Sequence, residues 1–135
     1  MLSSTAGSAS RRFLFAAVFW LIVPGVMGLT LAAMLYVPSL YDVLPIGIKP
    51  YLSFGRLRPA HVNLAIFGWL SQAYVGGILY ILPRLSRARL FSERLAHANW
   101  WLWNLMIVGA LLTLVVGATQ GREYAEMIWP LDLLL

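Results

Sequence analysis

The chain alternates between long apolar runs that carry no charge and short segments in which charged residues and prolines collect. The apolar runs cover about residues 13–37, 60–82 and 98–119. Each run is at least as long as the roughly 20 residues that a helix needs to cross a hydrocarbon core about 30 Å thick. The pattern therefore predicts three transmembrane helices joined by polar loops, with residues 1–12 as a tail before the first helix.

The end of the chain looks like the start of a fourth helix. Trp129 and Pro130 precede a run of apolar residues, and proline is favoured in the first turn of a helix. The six residues from Pro130 onward are too few to span a membrane at 1.5 Å per residue. We therefore expect an all-α membrane protein whose three helices and truncated fourth form part of a larger helical bundle.

Composition supports a membrane protein and excludes several kinds of site. The chain is 61% hydrophobic and 11% charged, whereas an ordinary soluble domain has roughly 25% charged residues. It has no cysteine, which excludes disulfides, thiolate metal sites and covalent haem attachment. The net charge of +5 comes from arginines beside the apolar runs, so it indicates membrane topology and no nucleic-acid partner.

The distribution of basic residues predicts the orientation. The loop between the second and third runs carries Arg84, Arg87, Arg89 and Arg94. By the positive-inside rule this loop is cytoplasmic, and the N terminus with Arg11 and Arg12 then lies on the same side. The loop of residues 38–59 weakens this bias because it is also basic, with Lys49, Arg56 and Arg58.

The second run begins with His61, which is the first candidate for chemistry. Helical spacing places it on one stripe with Ala65, Gly68, Gln72 and Gly76. A stripe of small residues lets a neighbouring helix or a flat macrocycle approach closely. The imidazole can ligate a haem iron, or it can hydrogen-bond a neighbouring helix at the membrane surface. The pattern alone slightly favours the second interpretation.

Charged residues near His61 are the remaining candidates. Arg58 lies one turn before His61, where its guanidinium can bind a carboxylate such as a haem propionate; Arg56 can do the same or be solvated. Glu123 and Glu126 are three residues apart and can face one Ca²⁺, although two carboxylates supply few of the oxygens that calcium needs and solvated charge is favoured. His97 is expected to be a solvated residue at the opposite membrane surface.

Two segments carry a resemblance to a known family. Residues 51–63, YLSFGRLRPAHVN, resemble the entry to the second helix of subunit I in cbb3-type cytochrome c oxidases, which are haem–copper oxidases. Residues 117–126, GATQGREYAE, followed by WPLD at 129–132, resemble the link between helices three and four of that subunit. The two segments occur in the order and at the distance that the family shows.

The resemblance implies roles for the candidate residues. His61 would be one axial ligand of the low-spin haem b, Arg58 would lie near its propionates, and the glutamate pair Glu123 and Glu126 would match an acidic pair associated with calcium. The second ligand of that haem, the high-spin haem ligand and the copper ligands would lie on later helices, so no catalytic residue is expected here. The expected partners are the rest of subunit I and c-type cytochrome subunits, in the bacterial inner membrane.

Other functions remain open at this point. A subunit similar to nitric oxide reductase would share the same haem-ligating helix, but residues 123–126 and 129–130 favour the oxidase. A small accessory membrane protein of a respiratory complex would bind no haem. The expected function is the N-terminal, haem-bearing section of a proton-pumping oxidase that relays electrons from cytochrome c toward oxygen.

Overall fold

The computed structural model describes residues 7–122 and 124–134, and its main elements are three long helices. These are α1 (Ser8–Tyr36), α2 (Phe54–Leu85) and α3 (Glu93–Val116), each long and apolar enough to cross a membrane. A single 3₁₀ turn at Pro38–Tyr41 follows α1, and the one-turn helix α4 (Trp129–Asp132) follows α3. The described residues contain no strand, so the predicted all-α membrane fold is confirmed.

The helices begin five or six residues before the apolar runs that predicted them. The thickness of the hydrocarbon core limits the apolar run, whereas a helix starts and stops where its terminal backbone groups find partners. At the start of α3 the hydroxyl oxygen of Ser92 accepts a hydrogen bond from the Leu95 amide at 3.2 Å. At its end Gly117 adopts the left-handed conformation, with φ of 89°, that closes many helices.

Helix α2 is not a uniform α-helix. It is α-helical over Phe54–Asn63 and Ser71–Leu85, with a π-helical segment at Leu64–Leu70 between them. The Ser71 amide donates to the carbonyl of Ile66, five residues earlier. The wider turns of this segment change which residues face the rest of the molecule.

The buried positions of α2 show the effect of the π-helical segment. Besides Leu57, Pro59 and Asn63, they recur at every fourth residue, at Ala60, Leu64, Gly68, Gln72 and Gly76. In an uninterrupted α-helix, every fourth position drifts by about 40° per step, or about 160° over four steps. The predicted stripe shares three of these residues, but Leu64 is fully buried where Ala65 was expected.

Close approach to α1 depends on two glycines of α2. A Cβ atom on Gly68 would lie 3.1 Å from the Cβ of Trp20, and one on Gly76 would lie 3.0 Å from the side chain of Leu14. Both distances are too short for comfortable packing. Because Gly68 and Gly76 have no side chains, α1 and α2 can pack closely, as membrane helices do at positions with small residues.

A polar network joins the three long helices in their middle. The indole of Trp20 in α1 donates to the Asn104 carbonyl oxygen of α3 at 2.8 Å. The Asn104 amide donates to Gln72 of α2 at 3.1 Å, and Gln72 is fully buried. Hydrocarbon offers no alternative partners, so these polar groups stabilise the bundle only when they bond to one another.

We expect Asn104→Leu to destabilise the bundle by about 1–2 kcal/mol, because Trp20 and Gln72 both lose a partner at membrane depth. Thermal unfolding of the purified protein in detergent measures the change. Asn99→Leu is the matched control, since Asn99 is an exposed residue of the same helix. Equal melting temperatures for the two variants would contradict the structural role of the network.

Candidate metal centre

His61 lies in the first α-helical part of α2, where it contacts α1. Its Nδ1 atom is 2.8 Å from the carbonyl oxygen of Pro24. A carbonyl oxygen can only accept, so Nδ1 carries the proton and donates this bond. The other ring nitrogen, Nε2, then keeps its lone pair. In this tautomer Nδ1 is tied to a backbone carbonyl and Nε2 can bind a metal ion.

Gly28 makes room for the imidazole. It lies one turn after Pro24 in α1, and a Cβ atom added to it would be 2.8 Å from Cε1 of His61 and 3.2 Å from Nδ1. Real Cβ atoms do not come so close to other atoms, so any side chain at this position would displace the ring. The role of Gly28 could not be predicted from the sequence, since it depends on the contact between two helices.

A small cavity lies beside this part of α2. Arg58, Val62, Tyr124 and Glu126 line it, and its volume is about 250 Å³. Arg58 and Val62 lie about one turn apart on α2, whereas Tyr124 and Glu126 come from the segment between α3 and α4. The structure thus brings Arg58 and Glu126, two of the predicted site residues, to the same cavity.

Asn63 connects the segment that carries Glu126 to α2. Its side-chain amide donates to a carboxylate oxygen of Glu126 at 2.9 Å, and its side-chain oxygen accepts from the Glu126 backbone amide at 3.3 Å. Asn63 is almost fully buried, with 2% of its surface exposed. The sequence signal that could have predicted this contact is a polar residue inside an apolar run, two positions after His61.

Further bonds hold the same segment in place. The carbonyl of Glu126 accepts from the Thr119 hydroxyl at 2.7 Å and from the Gln120 amide at 2.9 Å. The next residue, Met127, is fully buried in the core between the helices. Because Glu126 is held by its backbone and its side chain, the position of its carboxylate is defined by the fold.

Arg56 lies apart from this cavity. Its guanidinium donates to the carbonyl of Val115 at 3.4 Å and lies next to Gly117, at the C-terminal end of α3. A cation is favourable there because the last carbonyls of a helix carry partial negative charge. The two arginines that the sequence analysis treated alike therefore have different surroundings, although binding of a ligand by Arg56 stays a prediction.

Glu123 and His97 are the two remaining residues that were considered from the sequence. Glu123 lies outside the described residues, and among those that are described no three His, Asp or Glu side chains lie together as a metal site would require. His97 is partly buried at the opposite end of the bundle, with Nε2 2.9 Å from the Ser8 hydroxyl. His97 is thus less exposed than expected, because packing of α1 against α3 covers part of it.

Comparison with known proteins identifies related sequences. The family described as Cytochrome C and Quinol oxidase polypeptide I matches residues 8–135. The cytochrome c oxidase subunit 1 homolog of Agrobacterium tumefaciens is 40% identical over 120 residues, which are 89% of this chain and 21% of that protein. The cbb3-type cytochrome c oxidase subunit CcoN1 of Stutzerimonas stutzeri is 38% identical over 126 residues, 93% of this chain and 25% of that protein.

A third relative gives the same result. Cytochrome c oxidase subunit 1 of Rhodobacter capsulatus is 37% identical over 126 residues, 93% of this chain and 23% of that protein. The chain thus spans between 21% and 25% of the length of these three relatives.

We expect Asn63→Ala to loosen the segment that carries Glu126, because the carboxylate and the backbone amide both lose their partner on α2. Arg122 lies in this segment and is exposed, so trypsin cleavage after Arg122 should become several-fold faster. Asn99→Ala serves as the control. An unchanged cleavage rate in Asn63→Ala would show that the other bonds of the segment suffice to hold it.

Proposed function

The chain belongs to the Cytochrome C and Quinol oxidase polypeptide I family, and from this premise we propose that it is the N-terminal section of the haem-bearing subunit of a cbb3-type terminal oxidase. In this role it contributes one ligand of the low-spin haem b. That haem relays electrons from cytochrome c toward the oxygen-reducing centre of a proton-pumping complex. The high-spin haem and the copper ion would be held by the part of the subunit that this chain does not cover, so oxidase activity requires that part.

We propose that His61 is one axial ligand of the haem iron. The observation that supports this most directly is the hydrogen bond from Nδ1 to the Pro24 carbonyl, which leaves Nε2 free to bind. The space that Gly28 provides around the ring fits the same role. When bound, the haem iron would accept and release one electron. His61 would hold the iron and orient the haem.

The charged residues at this end of the bundle fit the periphery of such a haem. Arg58 is exposed and lines the cavity with Glu126, so its guanidinium is available to a propionate. We place Arg56 further from the haem, at the end of α3, where it would act on a propionate mainly through its charge. Glu126, held by Asn63, would supply one oxygen of a calcium site and Glu123 a second.

We propose that the N terminus is cytoplasmic, in the inner membrane of a bacterium. Six exposed arginines lie at the end of the bundle opposite His61: Arg11, Arg12, Arg84, Arg87, Arg89 and Arg94. The positive-inside rule assigns this end to the cytoplasm. His61 and its haem would then lie near the outer face, with residues 13–135 as the transmembrane section.

The surface of the three helices supports association with other helices. In the most apolar part of α1, α2 and α3, only 28%, 22% and 22% of the residues are buried. The remaining apolar residues need lipid or protein around them. We propose that the rest of subunit I covers part of this surface and that c-type cytochrome subunits assemble with the complete protein.

We expect His61→Ala to abolish the low-spin b-type haem signal in the assembled oxidase, because the iron loses an axial ligand. A reduced-minus-oxidised difference spectrum of the purified complex measures the loss. His97→Ala is the control, since the second histidine lies at the opposite end of the bundle. A b-type band of full intensity in His61→Ala would refute the assignment.

We expect Gly28→Ala to weaken haem binding as well. The new methyl group would push the imidazole of His61 away from the Pro24 carbonyl, so the low-spin haem content should fall or its absorption band should shift. Gly25→Ala is a matched control, because a Cβ atom at Gly25 meets nothing within 4 Å. Identical spectra for the two variants would contradict this prediction.

A further inference from the structure

Helix α2 contacts α1 at two levels along its length. At one level His61 bonds to Pro24, and further along Gly68 and Gly76 pack against Trp20 and Leu14. The π-helical segment Leu64–Leu70 begins directly after the first level. The segment therefore sets the rotation of the part of α2 that carries His61 relative to the part that carries Gly76.

A π-helical segment leaves one backbone carbonyl without a helical partner. Backbone hydrogen bonds in the segment join residues five apart, and where the spacing returns to four, one carbonyl receives no backbone bond. The last bond between residues five apart runs from the Ser71 amide to the Ile66 carbonyl, so the carbonyl without a backbone partner is that of Phe67. An unpaired carbonyl at membrane depth is costly, since lipid offers no donor.

Trp103 of α3 supplies the missing partner. Its indole N–H donates to the carbonyl of Phe67 at 2.9 Å, and its side chain is partly buried. Two side chains of α2 itself also bond to carbonyls of this segment: Ser71 to Ile66 at 2.9 Å and Gln72 to Gly68 at 3.1 Å. The bond from Trp103 differs from these because it comes from another helix.

We propose that Trp103 is a positioning residue for His61. By satisfying the Phe67 carbonyl, its indole makes the π-helical segment stable, and that segment keeps the imidazole at its angle to α1 and hence to the iron. Without the indole, α2 has a lower free energy with regular α-helical bonding. The change would rotate the part before the π-helical segment relative to the part after it by up to about 100°, the angle of one residue. This inference rests on the proposed role of His61 as haem ligand.

The test compares two tryptophan variants of the complete oxidase that contains this chain. Trp103→Phe removes the indole donor from the π-helical segment. Trp100→Phe is the matched control: its indole also joins α3 to α1, through the Arg12 carbonyl at 3.1 Å, but it does not touch that segment. The readouts are the midpoint potential of the low-spin haem and its electron paramagnetic resonance g-values, which respond to the orientation of the axial imidazole.

We expect Trp103→Phe to retain haem with a shifted midpoint potential and altered g-values, while Trp100→Phe matches the unmodified complex. If Trp103→Phe binds haem with both readouts unchanged, or if both variants shift equally, the positioning role is refuted and the ligand assignment stands. Failure of the ligand assignment is seen separately, as retained haem in His61→Ala.

A milder variant covers the case in which Trp103→Phe does not assemble. Ser71→Ala removes only the hydroxyl bond to Ile66 from the same segment. We expect a smaller shift of the same two readouts. Unchanged readouts in Ser71→Ala would then overturn the link between the π-helical segment and His61.

Discussion

The hydrogen bond between His61 and the Pro24 carbonyl constrains more of this structure than its size suggests. It fixes the tautomer of the imidazole, and with it the nitrogen that remains free. It also fixes where α2 meets α1, which in turn requires a glycine at position 28. Further along the same helix Gly68 faces Trp20, so the two contacts with α1 lie on either side of the start of the π-helical segment. One polar contact therefore accounts for the tautomer of the imidazole and for a glycine on the facing helix.

The sequence predicted the parts of this fold that depend on local pattern. Three runs without charge were enough to locate the spanning helices, because lipid tolerates few alternatives to an apolar helix. The ends of the helices could not be predicted in the same way, since capping by Ser92 and Gly117 decides them. The small residues of α2 indicated a packed face. The spacing of four residues that marks the π-helical segment could not be interpreted from the sequence, because it depends on the contacts with α1.

The candidate site shows the same division between local and long-range information. His61 could be found from its position at the start of an apolar run, and Arg58 from its distance to His61. Gly28, Asn63 and Trp103 act through partners that are 33, 63 and 36 residues away in the chain, so spacing gave no measure of their importance. Arg56 and Arg58 look equivalent in the sequence, yet the helix turns one toward α3 and the other toward the cavity.

The first turns of α2 join the proposed iron ligand to the proposed calcium carboxylate. His61 and Asn63 are two residues apart, so they point in different directions from the same turn of helix: His61 toward α1 and Asn63 toward the segment that carries Glu126. A displacement of this turn would move the imidazole and the carboxylate together. The burial of Asn63 and the packing of Met127 in the core oppose such a displacement. The rigidity of one helical turn thus sets the distance between the imidazole and the carboxylate.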